Sequence, residues 1–404
     1  MLLIALILSL VMPASAFAGG DGSVNNPYKI SNVYELQAIA SDLDAHYVLI
    51  NNIDASETAS WNNGAGFKPI GTYYNLPFKG TFNGQGYEIS NLYINRPRSN
   101  GAGLFVCTLE ASITDVGLVN VSIQGDWMVG ALVGHDGDWK TGSRGSSITN
   151  CYSTGSVTGD VAVGGLVGVQ FSSSSPSIAN SYSTCKVNGN ANVGGLIAQN
   201  SGAIINSYST GDVNGIKQMV GGLVGSNSGT IINSYSTGDV SGHDIVGGLV
   251  GVNDFGGTIT NSYSTGYATG EESVGGLVGY FSRAVTNSYW DIETSGQSSS
   301  VGGEGRTTKE MTYLPADNTY VGWDFETIWS IDKKINGGYP YLQSLSETVP
   351  HDDNGNHGDS NNGNHGDSNN GNHGNNKEIP EFPTIALPVV AILGLAFMFQ
   401  RGKE

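Results

Sequence analysis

Basic residues are scarce in this chain: 17 Lys and Arg stand against 35 Asp and Glu in 404 residues, a formal net charge of −18. That balance repels phosphate backbones and excludes nucleic acid as a partner. Charged residues of both signs make up only 13%, so the surface is built mainly from Gly, Ser, Asn and Thr. Three cysteines are too few for a disulfide scaffold. Cys151 and Cys185 stand four positions apart in equivalent repeats, an offset of about 13 Å along a strand that no disulfide spans. The His-Glu dipeptide is absent, which excludes the zinc-protease signature of two His on one helix. Apolar spacings of three or four are missing from the repeats, which argues against helical units.

What the chain has is one phrase repeated, most cleanly VGGLVGSNSGTIINSYSTGDVSG at 220–242. The NSYST half has its Asn at Asn150, Asn180, Asn206, Asn233, Asn261 and Asn287, in steps of 30, 26, 27, 28 and 26 residues. The GGLVG half begins at Gly130, Gly164, Gly194, Gly221, Gly247 and Gly275, with a worn copy at Gly101. A fixed period of this length means stacked units that touch only their neighbours. Strand periodicity puts Ile204, Asn206, Tyr208 and Thr210 on one face and Ser207, Ser209 and Gly211 on the other. The expectation is an all-β fold: a right-handed parallel β-helix of seven or more coils, each coil stacked about 4.8 Å above the last.

In such a stack the Ile of INSYST, the Val before GG and the Leu of GGLVG fill the inside. An inward Asn is satisfied when it bonds to the Asn above it, so the six Asn are read as a structural ladder. Tyr152, Tyr182, Tyr208, Tyr235, Tyr263 and Tyr289 form a second ladder. It fills the core, the preferred reading, or becomes an outer platform for sugar rings if the Ser face points inward.

These repeats resemble the GLUG-motif family over about 101–290. Family members occur on secreted and surface-attached prokaryotic proteins, including adhesin-like proteins and non-catalytic regions of immunoglobulin-cleaving metalloproteases. The resemblance implies an exported solenoid and, by itself, no activity.

The flanks are different. Residues 1–18 read as a signal peptide with an apolar core at 2–12 and cleavage after Ala16 or, preferably, Ala18. Residues 19–100 read as an N-terminal cap and first coils, with a short helix capped by Ser31 or Asn32 and running to about Leu43. Residues 291–346 read as a C-terminal cap whose Trp290, Trp323, Trp329, Tyr339 and Tyr341 cover the open core. Residues 347–378 form a polar linker in which His357, His365 and His373 recur beside Asp359 and Asp367. A plain tether is expected there, with weak transition-metal binding as the lesser alternative. Residues 379–404 combine Pro380, Glu381 and Phe382 with an apolar run and then Arg401 and Lys403. This resembles an archaeal PEF-type sorting signal, which implies processing by an archaeosortase and attachment to a membrane lipid. The simpler alternative is a plain anchor with the basic residues inside.

Candidate chemistry is thin, and no cofactor is expected. Asp212 and Asp239 occupy the same place in successive coils, at about the separation of a retaining glycosidase pair or of a shared Ca²⁺ site; a solvated corner is the preferred reading. Trp290 with Asp291 reads as cap before sugar site. The loops at 136–146 and 171–177 break the repeat, and Asn120-Val121-Ser122 is the single N-glycosylation acceptor. The reading is a non-enzymatic, surface-displayed solenoid acting in the envelope or in adhesion toward surface glycans or neighbouring cells. A polysaccharide-active β-helix is the alternative.

Overall fold

The computed structural model describes residues 17–348 apart from 73–74, 138–144, 172–176, 255 and 282–283. The signal-peptide site at Ala16, the His-containing linker and the sorting-signal residues Pro380, Glu381, Phe382, Arg401 and Lys403 lie outside the described residues.

One coil shows how the sequence makes the fold. Ala203–Ile205 forms a first strand, Tyr208–Ser209 and Val213–Gly215 lie on a second side, Gln218–Gly221 on a third and Val224–Asn227 on a fourth. Each strand pairs in parallel with its counterpart one repeat on, so Ile204 meets Ile231, Tyr208 meets Tyr235 and Val213 meets Val240. The result is a parallel β-solenoid with sheets of 10, 6, 7 and 15 strands. Ile204, Val213, Val220, Leu223 and Val224 are fully buried inside it, each contributing about 1.5–3 kcal/mol by leaving water.

The corners explain the motif. All six ladder Asn adopt positive φ, between 47° and 55°, a conformation that Asn tolerates better than branched residues. This left-handed residue interrupts the alternation of faces. Ile204 before the corner points in, yet Ser207 and Ser209 after it also point in and Tyr208 points out. The expectation that Ile204, Asn206 and Tyr208 share a face is therefore corrected, because alternation holds only while the backbone stays extended. The ladder Asn sit at the corner, buried at Asn233 and partly buried elsewhere: Asn206 donates to Asn180 at 3.3 Å and Asn233 to Asn206 at 3.1 Å.

The serines finish each corner. Ser207 Oγ donates to its own Ile205 carbonyl at 2.8 Å and accepts from Ser181 N at 3.2 Å; Ser234 does the same one rung on. In the regular coils the second Ser of NSYS packs closely on the second Gly of GGLVG: a Cβ on Gly195 or Gly222 would come within 2.2 Å of Ser209 or Ser236 Oγ. The two halves of the repeat are thus sterically complementary.

At the N-terminal end a helix, Val33–Ala38, is capped by Asn32, whose side chain accepts from Tyr34 N and Glu35 N at 3.0 Å. It continues as a 3-10 turn, Ile39–Ser41, so regular helix stops short of the expected Leu43. Leu36 and Ile39 are fully buried in the first coils. At the other end Trp290 joins the inner core and packs onto Gly276.

Candidate functional site

The outer face of the 15-stranded sheet is the most specialised surface of the molecule. The rings of Tyr152, Tyr182, Tyr208, Tyr235 and Tyr263 stack with centroids 4.8 to 5.0 Å apart and planes within 10° of parallel. Because the parallel strands repeat at the same spacing, each ring is held by its own rung without adjustment. This is the outer-platform geometry, and the preferred core reading is corrected: the corner at Asn turns the ring away from the solenoid interior.

The platform is nevertheless covered. Residues 308–345 fold back across it, placing Met311, Tyr320, Trp323, Trp329, Tyr339, Leu342 and Leu345 in one apolar cluster with the tyrosines. Tyr263 OH donates to the Pro340 carbonyl at 2.6 Å and accepts from Asn336 Nδ2 at 2.7 Å. Trp323 Nε1 donates to the Asn287 carbonyl at 2.8 Å, and Tyr339 OH to Asp291 Oδ2 at 2.6 Å. Of the aromatic residues expected to cap the open core, Trp323, Trp329 and Tyr339 lie instead along the side of the stack, whereas Trp290 joins the inner core. Tyr152, at the start of the stack, is half-buried and donates to Glu88 Oε1 at 2.6 Å. Burial, with neighbouring phenols as a lesser cause, drives the Tyr235 hydroxyl well above its ordinary pKa, so this ring remains neutral.

Asp212 and Asp239 precede the paired residues Val213 and Val240 on this sheet, and both are exposed. Asp239 Oδ1 accepts the backbone N–H of Tyr267 at 3.0 Å, which gives it a structural task. A general acid in a glycosidase is normally tuned by a desolvated pocket, unlike this open face.

A second polar ladder escaped the sequence reading. Thr108, Asp136, Gln170, Asn200, Asn227 and Asn253 occupy one register position in six successive strands, and all are fully buried. Asn200 Nδ2 donates to Asn227 Oδ1 and Asn227 Nδ2 to Asn253 Oδ1, both at 2.8 Å. The direction reverses at Asp136, which as a carboxylate can only accept: it takes Thr108 Oγ1 at 2.8 Å, Ser146 N at 2.9 Å and Gln170 Nε2 at 3.5 Å. Gln170 Oε1 is consequently left without a donor among the described residues. The signal was present in the repeat, since each of the last five stands six residues after the first Gly of its GGLVG copy.

Burial raises the Asp136 carboxyl above the usual range against the lowering effect of those donors. A raised folded-state pKa favours the fold below the unfolded carboxylate value, and that contribution is lost as pH rises through the folded value. Asp136→Asn is therefore expected to stabilise the protein at pH 7 by about 1 kcal/mol, because its Nδ2 can donate to Gln170 and continue the ladder. Denaturant midpoints at pH 4 and pH 7 check this: the gain belongs at pH 7, and a loss at both values would refute the polarity argument.

All three cysteines are buried, Cys151 and Cys185 as free thiols. Burial pushes Cys151 up to about 12 and Cys185 up to about 11, leaving both as unreactive thiols. Cys107 Sγ lies 3.5 Å from His135 Nδ1 on the neighbouring strand. The Asp136 carboxylate is instead engaged by Thr108, Ser146 and Gln170 in the polar ladder. Among the described residues no group of three or more His, Cys, Asp or Glu is arranged to hold a metal ion, and no helix is long and apolar enough to cross a membrane.

Comparison with known proteins fits this architecture. The GLUG motif is matched at residues 125–158, 189–214, 218–241 and 242–269, and the PEF-CTERM archaeal protein sorting domain at 379–403. Halomucin of Haloquadratum walsbyi is 40% identical over 156 residues, which is 37% of this chain and 2% of that protein. A protein of Evansella cellulosilytica, provisionally named a Gly-rich membrane protein, is 37% identical over 134 residues, 30% of this chain and 15% of that protein. The chain thus spans only a small part of the relatives it matches. A crystal structure of a Bacteroides ovatus protein, provisionally named an immunoglobulin A1 protease, aligns with a TM-score of 0.57 at 24% identity, covering 81% of this chain and 95% of that one. At that identity the likeness concerns the fold alone. The sorting-domain match points to a surface, anchored protein whose processing falls to an archaeosortase.

Proposed function

We propose that this chain is an exported β-solenoid, attached to a membrane lipid at its C-terminus, that acts in the cell envelope or in adhesion without catalysis. The sorting-domain match is the observation that carries the reading. Two features support a structural role: consecutive coils share ladders of Asn, Ser and Tyr, and the tyrosine face is already occupied by the chain's own residues 308–345. Exposure of Asp212 and Asp239 supports a structural over a catalytic role for them.

The N-terminus bears on export. Phe17 packs against Tyr28 and Tyr47 with centroids at 4.4 and 5.6 Å. Cleavage after Ala16 keeps this residue, whereas cleavage after Ala18 discards it; this supports Ala16 over the expected Ala18.

In producer cells, replacing Pro380, Glu381 and Phe382 by Ala is expected to leave an unprocessed chain with its C-terminal peptide intact and to abolish lipid attachment. Fractionation with intact-mass measurement reads both. Normal processing of the triple variant would overturn the sorting proposal. Turnover of an envelope glycan that disappears in Asp239→Asn would overturn the non-catalytic one.

A further inference from the structure

The chain's one glycosylation acceptor coincides with an irregularity in the ladder. Gly117–Gln124 pairs with Tyr152–Thr158, and between the pairs Ser153↔Leu118 and Gly155↔Val121 the register shifts, so the earlier strand carries one extra residue. Asn120 stands in that interval with φ of 53°, its backbone N–H donating to Thr154 Oγ1 at 2.8 Å. Such bulges re-aim a side chain out of the sheet's regular rows. Asn120 and Ser122 are both exposed while Val121 between them is buried. Amide and hydroxyl are therefore displayed together on the outside.

From this geometry we infer that Asn120 is an N-glycosylation site, which rests on the proposed export. The glycan comes from a polyprenyl phosphate or diphosphate carrier: Asn120 Nδ2 bonds to the anomeric carbon, the carbon–oxygen bond to the carrier phosphate breaks with its electrons leaving on the phosphate, and one amide proton is lost to base. The remaining amide proton suffices for the existing bond, since Asn120 Nδ2 donates to Asn91 Oδ1 at 2.8 Å. Modification therefore costs the fold no hydrogen bond. The ladder Asn are not equivalent: each has a Tyr two residues on, from Tyr152 to Tyr289, where an acceptor needs Ser or Thr.

Mass spectrometry of peptides from the full chain, recovered from the surface fraction of producer cells, tests the inference. Wild type and Ser122→Thr are expected to carry a hexose-containing mass on the peptide spanning Asn120; Ser122→Ala is expected to lose it while keeping the wild-type unfolding midpoint, because Ser122 is exposed. Surface-located protein with a bare Asn120 overturns the inference and leaves the export proposal standing. Bare protein confined to the cytosol overturns both, and a mass that survives Ser122→Ala shows that the modification is not of this kind.

Discussion

Trp329→Ala is expected to destabilise residues 308–345 by about 4 kcal/mol, the range for removing a fully buried Trp, while the solenoid beneath stays folded. Trp329 is fully buried, with its ring centroid 4.5 Å from that of Trp323 and 6.1 Å from those of both Tyr235 and Tyr263. It pins the returning segment against the middle of the stack. Its Nε1 has no hydrogen-bond partner among the described residues, so Trp329→Phe loses only packing and is expected to cost roughly half as much. In a solenoid each coil depends mainly on its neighbours, and the loss should not spread to the inner Ile and Val rows. Hydrogen exchange reads the difference: protection is expected to fall across 308–345 and to persist in strands such as Thr230–Ile232. A single global transition in the alanine variant would show that the segment is part of the solenoid's cooperative unit, contrary to this account.

Gly221→Ala should be as damaging, for a different reason. A Cβ there would lie 2.0 Å from the Val224 carbonyl oxygen and 2.7 Å from Gly251 N. Both are backbone atoms, so relief requires moving the chain of two coils. About 3–5 kcal/mol is expected, at the upper end of overpacking effects. The second glycine of the motif is a control. Gly222 faces Gly248 O and Ser236 Oγ, both at 2.2 Å, yet the equivalent position in an earlier coil is occupied by Ala131. Gly222→Ala is therefore expected to cost distinctly less, because the coil that carries Ala131 shows that this corner can accommodate a Cβ. Chemical denaturation of the two variants settles the ranking; equal midpoints would mean that the corner's backbone, rather than its contents, sets the requirement for glycine.

The repeat made the architecture legible. Its spacing of 26 to 30 residues implied stacked coils, its Ile, Val and Leu positions implied the inside, and Ser31 or Asn32 implied the helix start, which the structure places at Asn32. Lateral position was harder to read. The Asn200–Asn227–Asn253 ladder was visible as a recurrence six residues after the glycine, but nothing local distinguished a buried amide there from a polar corner. The C-terminal aromatics announced a cover without saying which surface they would cover.

The sequence by itself determined that this chain coils, that its Ile, Val and Leu positions face the interior and that its coils meet like on like. Tertiary structure decided where the tyrosines go. A left-handed Asn reverses the parity of every residue after it, a conformational event that composition and period do not record. The segment that buries the rings is also distant in sequence: Asn336 meets Tyr263 across 73 residues and Pro340 across 77. Short-range patterns carry information about short-range contacts; the covering of one outer face by a returning chain is a choice among faces, made by shape and apolar area only once the coils have stacked.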